Sequence, residues 1–319
     1  MPDVSVIIPL YGDHHGRRFL PVVTAAWLAQ DMPCEVVVAT AGDIPLSVAE
    51  DLDADRRVRV VRAPDEARAP GLLRNAGAAQ ARSPLLYLSD ADLAPLGRDY
   101  LTRAVGLARG RVLGQPWMHR LLGGPQALAG QPAVDQQVDP ASAPVMTGER
   151  PFCFVRSGAG SRLRPYPDER LHWQPPGDSA LGIVTPVIWP PAAAIDPELS
   201  ERLQWRTPFH WGSLLLARTL FEQVGGYCGA YYGWGAEDDD LLVKVSSVTP
   251  TVRAWQLDRS LSCLHFEHPA RYFGTPEQSA NHTLHSARLA AGPTAMIAQD
   301  RAAADGGPGS LSPGEPSSA

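Results

Sequence analysis

Lysine is nearly missing from this chain: Lys244 is the only one among 28 strongly basic residues, and every other strong cation is an arginine. Schiff-base chemistry or a P-loop would have to use that residue, and no GxxxxGK[ST] run precedes it, so both classes are excluded. The four cysteines, Cys34, Cys153, Cys228 and Cys263, form no CxxC pair. That pattern fits reduced, mostly buried thiols better than a disulfide framework or a zinc knuckle. No apolar run reaches the ~18 residues needed to cross a bilayer, and Val4-Ser5-Val6-Ile7-Ile8-Pro9 begins without a basic leader. The expectation is a cytoplasmic protein with no membrane segment. A net charge of −6 and the lack of a long basic run also argue against nucleic acid as a partner.

What is present is a chain of 319 residues, 44% hydrophobic and 19% charged, with ample material for a core. Short apolar runs at Val4–Leu10, Glu35–Thr40, Val58–Arg62 and Leu85–Ser89 alternate with helical stretches at Arg17–Gln30, Leu46–Leu52 and Gly71–Ala81. This alternation predicts an α/β fold with a mostly parallel central sheet flanked by helices. Residues 118–205 lose the periodicity and are rich in Pro, Gly, Gln and Ala, which predicts a loop-rich insert or lid. Order returns with a strand at Ser213–Arg218 and a capping-box helix from Thr219, stopped by Gly225-Gly226. A helix from about Ala236, strands at Val252–Leu257 and Ser262–Phe266, and a helix at Glu277–Leu289 complete the pattern. The expected organisation is a single domain over 1–290, comprising a nucleotide-binding half (1–117), the insert and an acceptor-binding, catalytic half (206–290). Residues 291–319 are expected to be a flexible tail, disordered from about 305, where Gly, Pro and Ser dominate.

Three constellations can carry chemistry. The strand Leu85–Leu88 runs into Ser89-Asp90-Ala91-Asp92, and in open α/β sheets ligands bind beyond the carboxyl ends of strands. Two carboxylates there can hold a divalent cation and, through it, a diphosphate; otherwise one caps a helix and the other is solvated. The second is Gly233-Trp234-Gly235-Ala236-Glu237-Asp238-Asp239-Asp240, an aromatic turn before four acids at a helix start. A helix N-terminus compensates part of that charge, but a cap alone does not account for Trp234, which can stack on a sugar or base beside a carboxylate able to act as general base. The third is His265-Phe266-Glu267-His268. On a strand, residues at i and i+3 face opposite ways, which predicts one ligand, His265, rather than two. Arg74, on the helix after Pro70, can anchor a diphosphate or pair with an acid.

In this order the pieces resemble an inverting glycosyltransferase of the A-type fold. Val4-Ser5-Val6-Ile7-Ile8-Pro9-Leu10-Tyr11, Leu73-Arg74-Asn75-Ala76-Gly77 and Asp90-Ala91-Asp92 are similar to family 2 of the glycosyltransferases. Phe221-Glu222-Gln223-Val224-Gly225-Gly226-Tyr227 and Gly233-Trp234-Gly235-Ala236-Glu237-Asp238 resemble the catalytic region of β-1,4-galactosyltransferases and polypeptide N-acetylgalactosaminyltransferases. The resemblance implies that Asp92 and His265 hold the metal, Mn²⁺ or Mg²⁺, and that Asp90 contacts the nucleotide or a metal-bound water. It also implies that Asp238 is the catalytic base, Glu237 orients acceptor or donor, and Trp234 closes on the donor. Pro9, Tyr11 and Arg74 fall where the family holds the nucleotide, and His268 has no counterpart role. The aspartate that many members carry after the second strand is missing at Ala39 and Thr40, and Asp43 is the nearest acid, which leaves the base, uridine or guanosine, open.

The resulting expectation is metal-dependent transfer from a nucleotide-diphosphate sugar, a UDP-sugar first, to a hydroxyl or amine on a small-molecule, glycan or carrier-bound acceptor. A metal would neutralise the leaving diphosphate without any lysine. Rival classes fit the residues less well. A DxD phosphohydrolase lacks the hydroxyl its motif needs, because Ala94 stands there. A catalytically silent sugar-nucleotide or glycan-binding module would not require Asp92, Asp238 and His265 together.

Overall fold

The computed structural model describes residues 2–11, 16–41, 55–64, 69–121, 209–258, 260–266, 268 and 274–305, with strand residues 153–155, 164–165, 171–174 and 185–188. The first half contains β1 (Val4–Tyr11), α1 (Gly16–Leu28), β2 (Cys34–Ala41), β3 (Val58–Arg62), α2 (Pro70–Ala79), β4 (Leu85–Leu88), β5 (Leu93–Pro95), α3 (Tyr100–Ala108), β6 (Val112–Gly114) and β7 (Trp117–Leu121). Four short strands follow: β8 (Cys153–Val155), β9 (Arg164–Pro165), β10 (Leu171–Gln174) and β11 (Thr185–Ile188). The second half contains β12 (Leu214–Ala217), α4 (Arg218–Gln223), α5 (Glu237–Val248), β13 (Thr251–Arg253), α6 (Ala254–Leu257), β14 (Ser262–Phe266), α7 (Pro276–Ala291) and α8 (Pro293–Asp305).

Seven strands form the central sheet in the order β13-β6-β12-β4-β1-β2-β3, with β12 alone antiparallel to its neighbours. Its central strands are continuous apolar runs because helices cover both faces. Val4, Val6, Ile8 and Leu10 of β1 pack with Phe19, Leu20, Val23 and Trp27 of α1, while Ile7 packs on the other face with Ala78 of α2 and Leu241 and Val245 of α5. A second sheet, β5-β14-β7-β8-β9, and a β10-β11 hairpin use residues of the insert.

The sequence reading differs from the structure in three places. Helix α4 starts at Arg218 behind Ala217, which makes no side-chain cap, so Thr219 is not a capping residue. The stretch read as a strand over Val252–Leu257 pairs with β6 only through Arg253, opposite Gly114, where β6 ends. With no partner left, Ala254–Leu257 coils into α6. Residues 293–305, read as part of a flexible tail, form α8, which buries Met296 and Asp300. The expected helix at Leu46–Leu52, the lid role, Asp43 and residues 306–319 lie outside the described residues. Among those described, no helix is long and apolar enough to cross a membrane.

Candidate active site

The site lies at the carboxyl edge of the central sheet. Strand β4 ends opposite Ile7 of β1, and the chain then runs through Asp90 and Asp92 into β5. Pro9 and Tyr11 continue β1 past that point. Pro9 is buried, pairs in register with Ala39, and has no N–H to donate where β4 has ended. Tyr11 is partly buried against Ala39, Ala41 and Leu73.

Asp92 is buried, and the backbone delivers two histidines to it. Strand β5 pairs antiparallel with β14, and Phe266 N–H donates to the Asp92 carbonyl at 2.9 Å. His265 Nε2 lies 3.8 Å and His268 Nε2 2.8 Å from Asp92 Oδ2. The three ligand atoms fall within 4.8 Å of one another. The one-histidine expectation is therefore corrected: β14 ends at Phe266, so strand alternation no longer governs His268. Phe19 holds this corner, stacking on Phe266 at 5.1 Å and on His268 at 6.3 Å.

Because β12 is antiparallel, its entry segment rather than its exit lies beside Asp90. His210 Nε2 is 3.0 Å from Asp90 Oδ2, and its Nδ1 is 2.9 Å from Ser213 Oγ. Arg74, fully buried, resolves the alternative left open by the sequence: it pairs with two acids. It contacts Asp90 Oδ1 and donates from Nη1 to Asp238 Oδ1 at 3.0 Å. Burial would raise the Asp90 carboxyl, but Arg74 and His210 outweigh it and hold the group at about 2, so it is ionised. Both Asp90 oxygens are thus engaged, which disfavours it as a phosphohydrolase nucleophile.

The four acids of α5 coexist because each has its own surroundings. Glu237 is buried and accepts Gly235 N–H at 2.7 Å; burial, then the neighbouring Asp238 charge, push its carboxyl up to about 8. Asp238 accepts from Arg74 and from Tyr227 Oη, the latter at 2.9 Å. Asp239 is raised to about 7 by burial and by Asp238, with Arg253 opposing. Asp240 is buried against Arg288, with Nε to Oδ2 at 2.5 Å. The aromatic turn is tied down: Asn281 Nδ2 donates to the Tyr232 carbonyl at 2.8 Å and the Trp234 carbonyl at 3.2 Å. Ala236 closes the turn at φ 66°, a left-handed conformation unusual for a residue with a Cβ.

The structure thus gathers Arg74, Asp90, Asp238 and Glu237 with Asp92 and His265 along one edge. Sequence reasoning missed His210 and Tyr227 and left His268 and Asn75 without roles. His210 stands just ahead of a strand that was foreseen, but the direction of that strand is a tertiary fact. The lone Lys244 is buried in a polar network with Asp240, Asp300 and Arg288, away from any catalytic use.

Comparison with known proteins bears on the fold and on the second half of the chain. Residues 193–269 match a family described as the N-terminal domain of galactosyltransferase. A search of curated proteins finds no match. Among solved structures, GalNAc-T7 with UDP, GalNAc and Mn²⁺ is similar at 14% identity and a TM-score of 0.55, over 88% of this chain and 47% of that one. S. aureus TarS 1–349 is similar at 15% identity and a TM-score of 0.41, over 76% of this chain and 55% of that one. The chain spans about half the length of these solved proteins. Its fold is that of the A-type glycosyltransferases, and its second half resembles the galactosyl- and N-acetylgalactosaminyltransferases.

Proposed function

We propose that the protein is a metal-dependent, inverting glycosyltransferase that moves a sugar from a UDP-sugar to a hydroxyl or amine acceptor. The observation that carries this reading is the Arg74 bridge between Asp90, beside the Asp92–His265–His268 cluster, and Asp238, the candidate base. A single edge then holds a cation-ligating set and a proton acceptor, the two functions that displacement of a nucleoside diphosphate needs.

Asp92, His265 and His268 would hold the cation, and one carboxylate with two imidazoles suits Mn²⁺ better than Mg²⁺, which prefers oxygen ligands. Bound there, a divalent ion supplies charge neutralisation for the leaving diphosphate. That GalNAc-T7 was solved with UDP and Mn²⁺ supports this choice of donor and ion. Asp238 accepts the acceptor's proton as its oxygen or nitrogen attacks the anomeric carbon and the bond to the diphosphate breaks on the opposite face. Glu237, neutral near pH 7, donates a hydrogen bond to acceptor or donor, and Trp234 covers the sugar. Pro9 and Tyr11 line the nucleotide side, and Arg74 holds Asp90 and Asp238 together. Cys34 and Cys228 are buried free thiols, which supports a reducing, cytoplasmic setting.

Calorimetric titration with UDP, GDP, dTDP and CDP, each with and without Mn²⁺, tests the donor site. UDP should bind with Mn²⁺ and lose that binding in Asp92→Ala. Failure of every nucleotide to bind with metal would refute it.

A further inference from the structure

Asp238 is held asymmetrically. Both of its hydrogen bonds arrive on Oδ1, from Arg74 Nη1 at 3.0 Å and from Tyr227 Oη at 2.9 Å. Among the described residues no donor reaches Oδ2. Gly212 packs beside Oδ2 and the Arg74 guanidinium together: a Cβ there would stand 3.0 Å from Oδ2, 3.0 Å from Arg74 Nη2 and 3.4 Å from His210 Cε1. One oxygen is therefore saturated, and the other accepts no hydrogen bond from the described residues and would be crowded by any side chain at position 212.

Tyr227 is itself fixed with unusual completeness. Asn75 of α2 pairs its amide with the Tyr227 backbone in both directions, accepting from Tyr227 N–H at 2.8 Å and donating to the Tyr227 carbonyl at 2.9 Å. The preceding Gly226, at φ 62°, lies so close that a Cβ would stand 2.5 Å from Asn75 Oδ1. From the other side Lys244 Nζ donates to the Gly226 carbonyl at 2.5 Å. The Tyr227 ring is buried under the Arg74 guanidinium, 5.4 Å from its centroid, and against Gly71. Packing alone would be served by a phenylalanine; the hydroxyl aimed at Asp238 is the part that packing does not require.

We propose that Tyr227 is the positioning residue of the base: with Arg74 it pins Oδ1 of Asp238, so that Oδ2 faces the acceptor as the proton-accepting atom. Asn75, Gly226 and Lys244 set Tyr227, and Gly212 keeps Oδ2 uncovered. This rests on the glycosyltransferase reading of the site.

The test is Tyr227→Phe in the full chain, assayed as UDP released from UDP-galactose and UDP-N-acetylgalactosamine with Mn²⁺ and water as acceptor. Rates are divided by the sites counted from UDP binding stoichiometry, so that loss of folded protein does not count as loss of turnover. Losing one hydrogen bond to a charged group predicts a fall in kcat of about tenfold, with KM for the UDP-sugar within about twofold. Gly212→Ala, whose Cβ would crowd Oδ2 and Arg74 Nη2 while leaving the Tyr227 hydroxyl in place, should also lower kcat with KM held, and covers the case in which Tyr227→Phe fails to fold. Unchanged kcat in both variants overturns the proposal, as does a rise in KM or loss of UDP affinity that parallels the fall in kcat. A wild-type protein that binds no UDP with Mn²⁺ and releases none from either sugar overturns the glycosyltransferase reading instead.

Discussion

Replacing Asp300 by asparagine should destabilise the protein more than any comparable change in the last thirty residues of the chain. Asp300 sits on α8, is nearly fully buried, and contacts Lys244 Nζ and Arg288 Nη2, the latter at 2.7 Å. Asp240 is the other acid of the group, 2.5 Å from Arg288 Nε and 3.7 Å from Lys244 Nζ. Two buried cations and two buried anions balance; Asp300→Asn leaves one positive charge uncompensated, and breaking a buried pair this way costs about 3–5 kcal/mol. For a chain of this size that is a fall in Tm of roughly 6–10 °C, using about 2 °C per kcal/mol. The assay is urea unfolding followed by circular dichroism, read as a lower midpoint at unchanged slope. Adding Lys244→Met to the asparagine variant restores neutrality, so the double variant should lose less than the two single losses combined. A loss under about 1 kcal/mol for Asp300→Asn, or strict additivity, would refute the claim that α8 is ionically locked to α5.

Other consequences concern the metal corner and pH. His268→Ala should weaken Mn²⁺ binding at least tenfold, as should His265→Ala, measured by titration in the presence of UDP; an unaffected His268→Ala would return that residue to a packing role. Glu237 has its carboxyl raised from 4.5 to about 8, so the folded state keeps a proton that the unfolded chain gives up. Its contribution therefore turns against folding as pH rises from about 4.5 to about 8, and Asp239, raised to about 7, acts in the same direction. Glu237→Gln should consequently show a smaller fall in Tm between pH 6 and 8.5 than wild type. Equal pH dependence of the two proteins would contradict the neutral-glutamate assignment.

Much of the fold was legible because its signals are local. The runs at Val4–Leu10 and Glu35–Thr40 are continuous and β-branched, and both became central parallel strands. The candidate metal corner was half legible: Asp92 and His265 could be picked out from residue type and place, whereas His268 comes beside them only because β14 stops one residue after His265. His210 and Tyr227 act through long-range placement, from an antiparallel strand and a glycine turn clamped by Asn75, and neither leaves a periodic trace. Helix α8 was hidden by composition, because Ala-rich sequence with few large apolar residues reads as tail until Lys244 and Asp300 are seen to be partners.

In the proposed mechanism one edge of the sheet activates an acceptor with Asp238 while holding a nucleoside diphosphate through a cation. The most direct measurement compares wild type and Asp238→Asn in UDP release from UDP-sugars and in Mn²⁺-dependent UDP affinity on the same preparations. Affinity should be unchanged, with at least ~100-fold slower release in the variant. Near full release by Asp238→Asn, or loss of UDP affinity along with it, would rule out Asp238 as the base.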